Sequence, residues 1–466
     1  VRLGFRLFLI PLVALAVNLA FGSAAAPAKP TKTSAKEKAH VSLKVPGKAD
    51  SGTPILSRGE VTGLHGAARV VLQVRQTRHW KPIAHGAAQQ GRFRIRTPLP
   101  PRPGIARLRA SVMRQGKRVA VSAVRRVRVR SHAKPGAAPA PSPTTPSVYW
   151  GAWIGPQLTG EAAPWDMNAV TSFEGMVGKP VSLLEFAAPF QDCSAFPCVP
   201  YTFPAKAFSA IRAHGAIPFL SWASQSIPGG NVDDPQFQLA DIRGGAYDAY
   251  IREWATAARN WGHPFFLRFD WEMNGNWFPW AEGVNGNQPG EYVAAWRHVH
   301  DIFTSVGAKN VTWVWCPYLD NTGKLETLKA LYPGDGYVDW TCLDGYNWGP
   351  EHGLGQRWSG FDKLFAPSYR QIVEGVAPSK PMVIGETASS EEGGSKSAWI
   401  DDMFESLPVS YPAVKGLVWY EYPDRGMAWP VESSAESLAS FAAGIGDPRY
   451  AANSYGGLSA SPIPPP

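Results

Sequence analysis

Eight short apolar runs recur from Ser147 to the end of the chain. They are VYWGAWIG (148–155), VSLLEFAAP (181–189), AIPFLSWAS (216–224), FFLRFDWE (265–272), VTWVWCPY (311–318), CLDGYNW (342–348), PMVIGET (381–387) and KGLVWYEY (415–422). Runs this short and this continuously apolar predict strands buried on both faces, as in parallel sheets. Most are separated by segments of helical composition, such as AYDAYIREWATAARNW (246–261) and GEYVAAWRHVHDIFTSVG (290–307). Eight buried strands alternating with helices fit an α/β fold of the (β/α)8 TIM barrel type. A doubly wound sheet would want a glycine-rich phosphate loop after an early strand, and the sequence has none.

Charge divides the 466 residues further. Residues 39–131 hold 20 Lys+Arg against 2 Asp+Glu, whereas residues 148–466 hold 19 against 34. The basic stretch alternates with period two (RVVLQVRQ, GRFRIR, AVRRVRVR), which predicts a small antiparallel, immunoglobulin-like β-sandwich with its charges on the solvent face. Residues 132–147, rich in Pro, Ala, Ser and Thr, predict an extended linker. Residues 27–38 are polar and basic and predict a disordered lead-in. Residues 1–26 carry Arg2 and Arg6, an apolar stretch and small residues at 22–26, the pattern of a secretory signal peptide. The barrel is expected over 148–446, with 447–466 as a C-terminal tail. Export would permit disulfides among Cys193, Cys198, Cys316 and Cys342. Cys193 and Cys198 bound a short loop, Cys316 and Cys342 fall on adjacent predicted strands, and three connectivities are possible. There is no C-x-x-C or H-E-x-x-H pattern, so neither a metal nor a cofactor is expected.

In a barrel, reactive side chains project from the C-terminal ends of the strands. Glu272 ends the fourth predicted strand and Glu386 the seventh. Two carboxylates facing each other across a barrel mouth suit glycosidic cleavage, in which one protonates the leaving oxygen and the other attacks the anomeric carbon. Apolar walls such as Trp271 and Trp277 would raise the pKa of the acid. Arg268, Asp270 and Glu272 alternate, so all three are expected to point inward. His263, His298, His300 and His352 show neither metal nor triad spacing, and His298 and His300 are expected to face solvent. Glu185 and Glu421 lie on strands two and eight, as sugar-hydroxyl ligands or as structural ion pairs.

The segment RFDWEMNGNWFPW (268–280) resembles the acid/base segment of glycoside hydrolase family 26, whose pattern runs R-x-x-H-E-M-N-G-x-W-Y-P-W. VTWVWCPY, YPGDGYVDWTCLDGYNWG (332–349) and PMVIGET are similar to the family's later strand segments. The resemblance implies a retaining (β/α)8 enzyme, with Glu272 as acid/base and Glu386 as nucleophile. It implies substrate contacts through Arg268, Asn274, Tyr346, which would touch the nucleophile, and Trp419. Trp222, Trp277, Trp280 and Trp348 are further sugar-platform candidates. The family's histidine before the acid/base is Trp271 here, and Asp270 is a candidate to replace its polar contact.

These readings predict a secreted endo-glycosidase acting on β-linked polysaccharide, first of all β-1,4-mannan. The alternatives are a β-1,3-1,4-glucan or other β-glycan, or an inactive barrel that binds carbohydrate or cell wall. The basic module would attract an anionic cell-surface polymer or serve as a plain spacer. Nucleic acid is not an expected partner, and no membrane association is expected after signal cleavage.

Overall fold

A computed structural model describes residues 39–50, 54–64, 68–76, 79–97, 99, 104–114, 117–130, 146–229, 232–320, 325–350 and 356–466. The segments expected to be a signal peptide and a lead-in, nearly all of the expected linker, and His352 lie outside these residues. The chain divides into two compact units, residues 1–139 and 140–466.

Among the described residues, the first unit is built of β-strands. One sheet contains His40–Val41, Ile55–Thr62 and Arg92–Thr97. The second runs in the order Lys48–Asp50, Arg125–Arg130, Gly104–Arg114, Ala68–Gln76, His79–Ala88, with Lys117–Val121 added to Gly104–Arg114. Alternate residues of both sheets, among them Val61, Phe93, Ile95, Val70, Leu72, Leu108, Val112 and Val127, form one apolar core. Period two in the sequence thus becomes one buried and one solvated face. One pairing departs from the antiparallel expectation: Lys48–Asp50 lies parallel to Arg125–Arg130.

The second unit is a closed barrel of eight parallel strands. They are β1 (Tyr149–Ile154), β2 (Leu183–Asp192), β3 (Ile217–Ile227), β4 (Phe265–Phe269), β5 (Val311–Trp315), β6 (Trp340–Cys342), β7 (Met382–Ser389) and β8 (Val414–Glu421). Strand β1 pairs with both β2 and β8, which closes the ring. Gly345–Asn347 continues β6 along β7 after a two-residue break. Helices follow the strands in turn: α1 (Met167–Val177), α2 (Ala205–His214), α3 (Asp248–Trp261), α4 (Glu291–Ser305), α5 (Leu325–Ala330), α6 (Phe361–Gln371), α7 (Lys396–Ser410) and α8 (Ala435–Ile445). Helix α3 shows why they pack. Ile251, Trp254, Ala255 and Ala258 recur at helical spacing and are buried, and Gly262 at φ 76° ends the helix in the left-handed conformation.

Residues 447–466, set apart above as a tail, pack on the barrel. Ile463 is buried; its N–H donates to Thr312 Oγ1 (2.8 Å) and its carbonyl accepts from Trp340 Nε1 (2.8 Å). Tyr149 donates to the Pro464 carbonyl (2.9 Å). These contacts lie near the starts of β1, β5 and β6, so this segment caps the end of the barrel away from the strand termini that carry Glu272 and Glu386.

His298 and His300 do not simply face solvent. His298 Nε2 lies 2.6 Å from Asp248, and the His300 ring packs against Trp313 and Tyr337.

Candidate active site

The site is built around one cation. Arg268, on β4, is fully buried inside the barrel. Its Nε donates to Ser221 on β3 (2.8 Å). Nη1 pairs with Asp344 (2.5 Å), and Nη2 pairs with both Glu185 on β2 (2.5 Å) and Glu386 on β7. Ser221 also donates to Glu185 (2.8 Å). Strands β2, β3 and β7 and the break in β6 are thus tied to one guanidinium whose planar fork serves several carboxylates. The glycine before Glu386 makes room for this. A Cβ on Gly385 would fall 2.5 Å from Cys342 Sγ and 2.7 Å from Asp344 Oδ1.

Strand β4 ends at Phe269, and the chain then turns sharply. Asp270 (φ 43°) and Glu272 (φ 54°) both adopt the left-handed conformation that non-glycine residues rarely hold. Such backbone persists only where surrounding contacts over-determine it, and it clusters at functional sites. Here the Glu272 N–H is anchored on the Cys316 carbonyl at the end of β5 (2.7 Å). Trp277 Nε1 donates to Glu272 Oε2 (2.6 Å). Gly275 permits that return, because a Cβ there would lie 2.5 Å from the Trp277 ring.

Glu386 accepts hydrogen bonds from Arg268 and from the Tyr346 hydroxyl. Carboxylate oxygens of Glu272, Glu386 and Asp344 all lie within 4.8 Å of one another. The Arg268 guanidinium already pairs with two of these three groups.

Comparison with known proteins shows what the barrel is similar to. Residues 242–373 match the sequence profile of Glycosyl hydrolase family 26. The chain is 34% identical over 301 residues to Endoglucanase H of Acetivibrio thermocellus, an alignment covering 64% of this chain and 30% of that one. It is 27% identical over 214 residues to a mannan endo-1,4-beta-mannosidase of Bacillus subtilis, covering 42% of this chain and 54% of that one. That family 26 match takes in Arg268, Glu272, Asp344 and Tyr346. The alignments span only 30% and 54% of the length of these two relatives. The fold also matches a Cellulomonas fimi endo-beta-1,4-mannanase double mutant, with TM-score 0.51, 19% identity, and coverage of 68% of this chain and 74% of that one.

Burial dominates the electrostatics of the site. Burial, reinforced by the charge of Glu386, pushes Glu272 up to about 8, against the Trp277 hydrogen bond, Arg268 and Arg425. Burial pushes Glu185 up to about 8 against the pull of Arg268, and holds Asp344 well above the ordinary range. Tyr346 is raised by burial and by the charge of Glu386.

Several expected sugar contacts lie elsewhere. Trp222 is fully buried, stacked on Trp254 (4.5 Å) and packed against Phe190 and Phe269. Trp280 is buried against Trp271 and Phe278, and Trp419 is buried with Nε1 on the Trp429 carbonyl. None of the three has a ring face free for a sugar, because each sits on the helix-facing side of the barrel wall or beneath the loops. Arg268 reaches no surface either, so it acts on the carboxylates. Asn274 is a brace: its side chain donates to the Tyr318 carbonyl and accepts from the Tyr318 N–H, both at 2.8 Å. Asp270 does not stand in for the family histidine. Its two oxygens accept from Ser224 N–H and Oγ, both at 2.8 Å, and the side chain is fully buried. The turn at Asp270 breaks the alternation that would have aimed it inward.

Trp277 is 44% exposed, and Trp348 is half-buried beside Tyr346 and Trp429. These two remain the candidates for sugar platforms. Trp271 lies under the site with Arg268 4.9 Å from its ring centre. Glu421 is buried and accepts from the Val431 N–H (2.9 Å), which ties it to the loop after β8. Asp344 and Tyr318 were not singled out from sequence. The signal available for Asp344 was an acid inside an apolar strand run. Tyr318 is held by Asn274, receives the Trp348 Nε1 hydrogen bond (3.0 Å) and packs edge-on against Trp277. The cysteines pair as Cys193–Cys198 and Cys316–Cys342.

Asp270 supplies a stability test. Burial pushes it up to about 8 from 3.8, against two hydrogen bonds from Ser224. Between those values the folded state keeps a proton that the unfolded state has released, so stability falls as pH rises through the window. Asp270→Asn should therefore lose less melting temperature than the parent between about pH 5 and pH 8. Identical slopes would show that Asp270 is ionised in the fold.

Proposed function

We propose that this chain is a secreted, retaining endo-β-glycanase working by double displacement. The observation that carries the reading is the placement of Glu272 and Glu386 oxygens within 4.8 Å in unequal surroundings. Glu272, pushed up to about 8, would hold a proton at neutral pH and give it to the leaving oxygen. Glu386, accepting from Arg268 and Tyr346, would attack the anomeric carbon. After the aglycone leaves, Glu272 would take a proton from water as the covalent intermediate is hydrolysed. Trp277 and Trp348 would carry sugar rings on either side of cleavage.

β-1,4-Mannan is the first substrate reading, in line with the Bacillus subtilis relative. A β-glucan is the second, favoured by the 34% identity to a protein named an endoglucanase and by Trp271 where the family pattern has histidine. Reducing-sugar release on linear mannan, galactomannan, glucomannan, mixed-linkage β-glucan and β-1,3-xylan decides between them. Release from one polymer, lost in Glu272→Ala and Glu386→Ala, supports the reading; binding without release from any of them would leave a carbohydrate-binding barrel.

Export is supported by two disulfides. Among the described residues no helix is long and apolar enough to cross a membrane. The basic module would hold the enzyme at an anionic cell-surface polymer.

Tyr346→Phe should lower kcat about 10- to 100-fold, the loss of one hydrogen bond to a charged group. The melting temperature should change little, since the ring contacts to Trp348 and Trp429 remain. An unchanged kcat would show that Tyr346 does not act through Glu386.

A further inference from the structure

The larger sheet of the basic module gives its attachment role a definite site. Its inner face supplies Val70, Leu72, Val74, Leu108, Ala110, Val112 and Val127 to the core. The residues between them point outward. Arg107 and Arg126 stand directly opposite each other on neighbouring strands, and both are exposed. Arg109, next on the same face, pairs across to Gln73, and Arg75 pairs across to Trp80. Arg118 joins from the outer strand, opposite Met113.

Like charges placed directly across strands are destabilising. Carboxylates are scarce here: Asp50 and Glu60 are the only acidic residues between 39 and 131. Glu60 lies on the other sheet with Arg92 (3.3 Å), and Asp50 lies on the edge strand opposite that of Trp80. One guanidinium on this face is held in place. Arg109 sits 4.2 Å over the Trp80 ring, and its Nε donates to Gln73 Oε1 (2.8 Å), which leaves its other N–H groups for a ligand. Gln73 is itself fixed by Ser111 (3.0 Å). Burial and the charges of Arg118 and Arg75 lower the Arg109 pKa, a sign of crowded positive charge. An arginine already stacked and bonded loses less freedom on binding than a solvated one.

We propose that this face, centred on Arg109 and Trp80 with Arg107 and Arg126 beside them, binds a polysaccharide carrying a carboxylate on successive sugars. The proposal rests on the attachment role assigned to the module. Three features favour this ligand. The arginine fork matches a planar carboxylate in two-point contact. Neighbouring strands about 4.8 Å apart set the cations at a repeat comparable to one sugar ring. The same chain carries a glycanase-family barrel, so a glycan surface is where the enzyme would work.

The test measures binding of the full-length protein to polygalacturonate, to its methyl-esterified neutral form, to poly(glycerol phosphate) and to duplex DNA. The parent should bind polygalacturonate at least about tenfold more tightly than the ester, and more tightly than the two phosphate polymers. Arg107→Gln/Arg109→Gln/Arg126→Gln should lose about tenfold or more, and Arg126→Gln alone a smaller part. Arg58→Gln/Arg92→Gln/Arg94→Gln removes the same charge from the other sheet and should lose less than about threefold. Equal losses in the two triple variants would overturn the site while leaving attachment by diffuse charge. No preference over the ester would overturn attachment itself. Tighter binding to either phosphate polymer would overturn the carboxylate assignment. Unchanged thermal unfolding of each variant guards against loss of fold.

Discussion

Glu386→Ala and Glu272→Ala should each lower kcat on polysaccharide by about 10²–10⁴-fold or more, but the two losses should differ in kind. Glu386 would form the covalent bond, so no choice of leaving group restores the first step without it. Glu272 would supply a proton, and an aryl glycoside with an acidic phenol as leaving group needs none. Glu272→Ala should therefore keep a fast first turnover on such a substrate, seen as a burst of phenol, and Glu386→Ala should show no burst. The parent should also lose kcat/KM as pH rises through about 8, because an acid pushed up to that value is protonated below it and spent above it. The same limb should be absent from the aryl-glycoside first step of Glu272→Ala. Equal behaviour of the two variants would mean that the roles are wrongly divided.

Arg268→Met should destabilise the barrel by about 3–5 kcal/mol, the cost of removing one partner from a buried charge cluster. Methionine fills much of the space, so the loss is mainly electrostatic. Glu185, Asp344 and Glu386 would be left around an uncharged side chain. Protonation relieves buried carboxylates, so the defect should shrink as pH falls from about 8 to 5. Thermal unfolding of both proteins across that range checks this. A defect below about 1 kcal/mol at every pH would show that the cluster is not held by the arginine. A variant that folds at low pH would also test whether Arg268 positions Glu386 for attack.

The barrel was legible because its strands are short apolar runs whose surroundings are water-free on both faces. All eight runs became strands, with ends shifted by a few residues. At β4 the run continues to Glu272 but the strand stops at Phe269. Alternation could not foresee the left-handed turns at Asp270 and Glu272, since they are set by Ser224, Cys316 and Trp277 from other segments. For the same reason it placed Asp270 in the site. Tryptophan is ambiguous for a different reason. Its large apolar area serves a core as well as a sugar face, and only depth distinguishes Trp277 from Trp222 and Trp419. The charge of residues 39–131 was plain in composition, but the Arg109–Trp80 contact depends on strand register, which composition does not carry.

The account turns on Glu386 forming a bond to the sugar. The most direct measurement follows the anomeric proton signals of the first product by NMR, on whichever polymer of the panel is cleaved, before mutarotation mixes the anomers. A β-anomer appearing first, from a β-linked substrate, is the predicted result and means two displacements. An α-anomer appearing first would mean a single inverting attack by water, and the roles given to Glu272 and Glu386 would have to be abandoned.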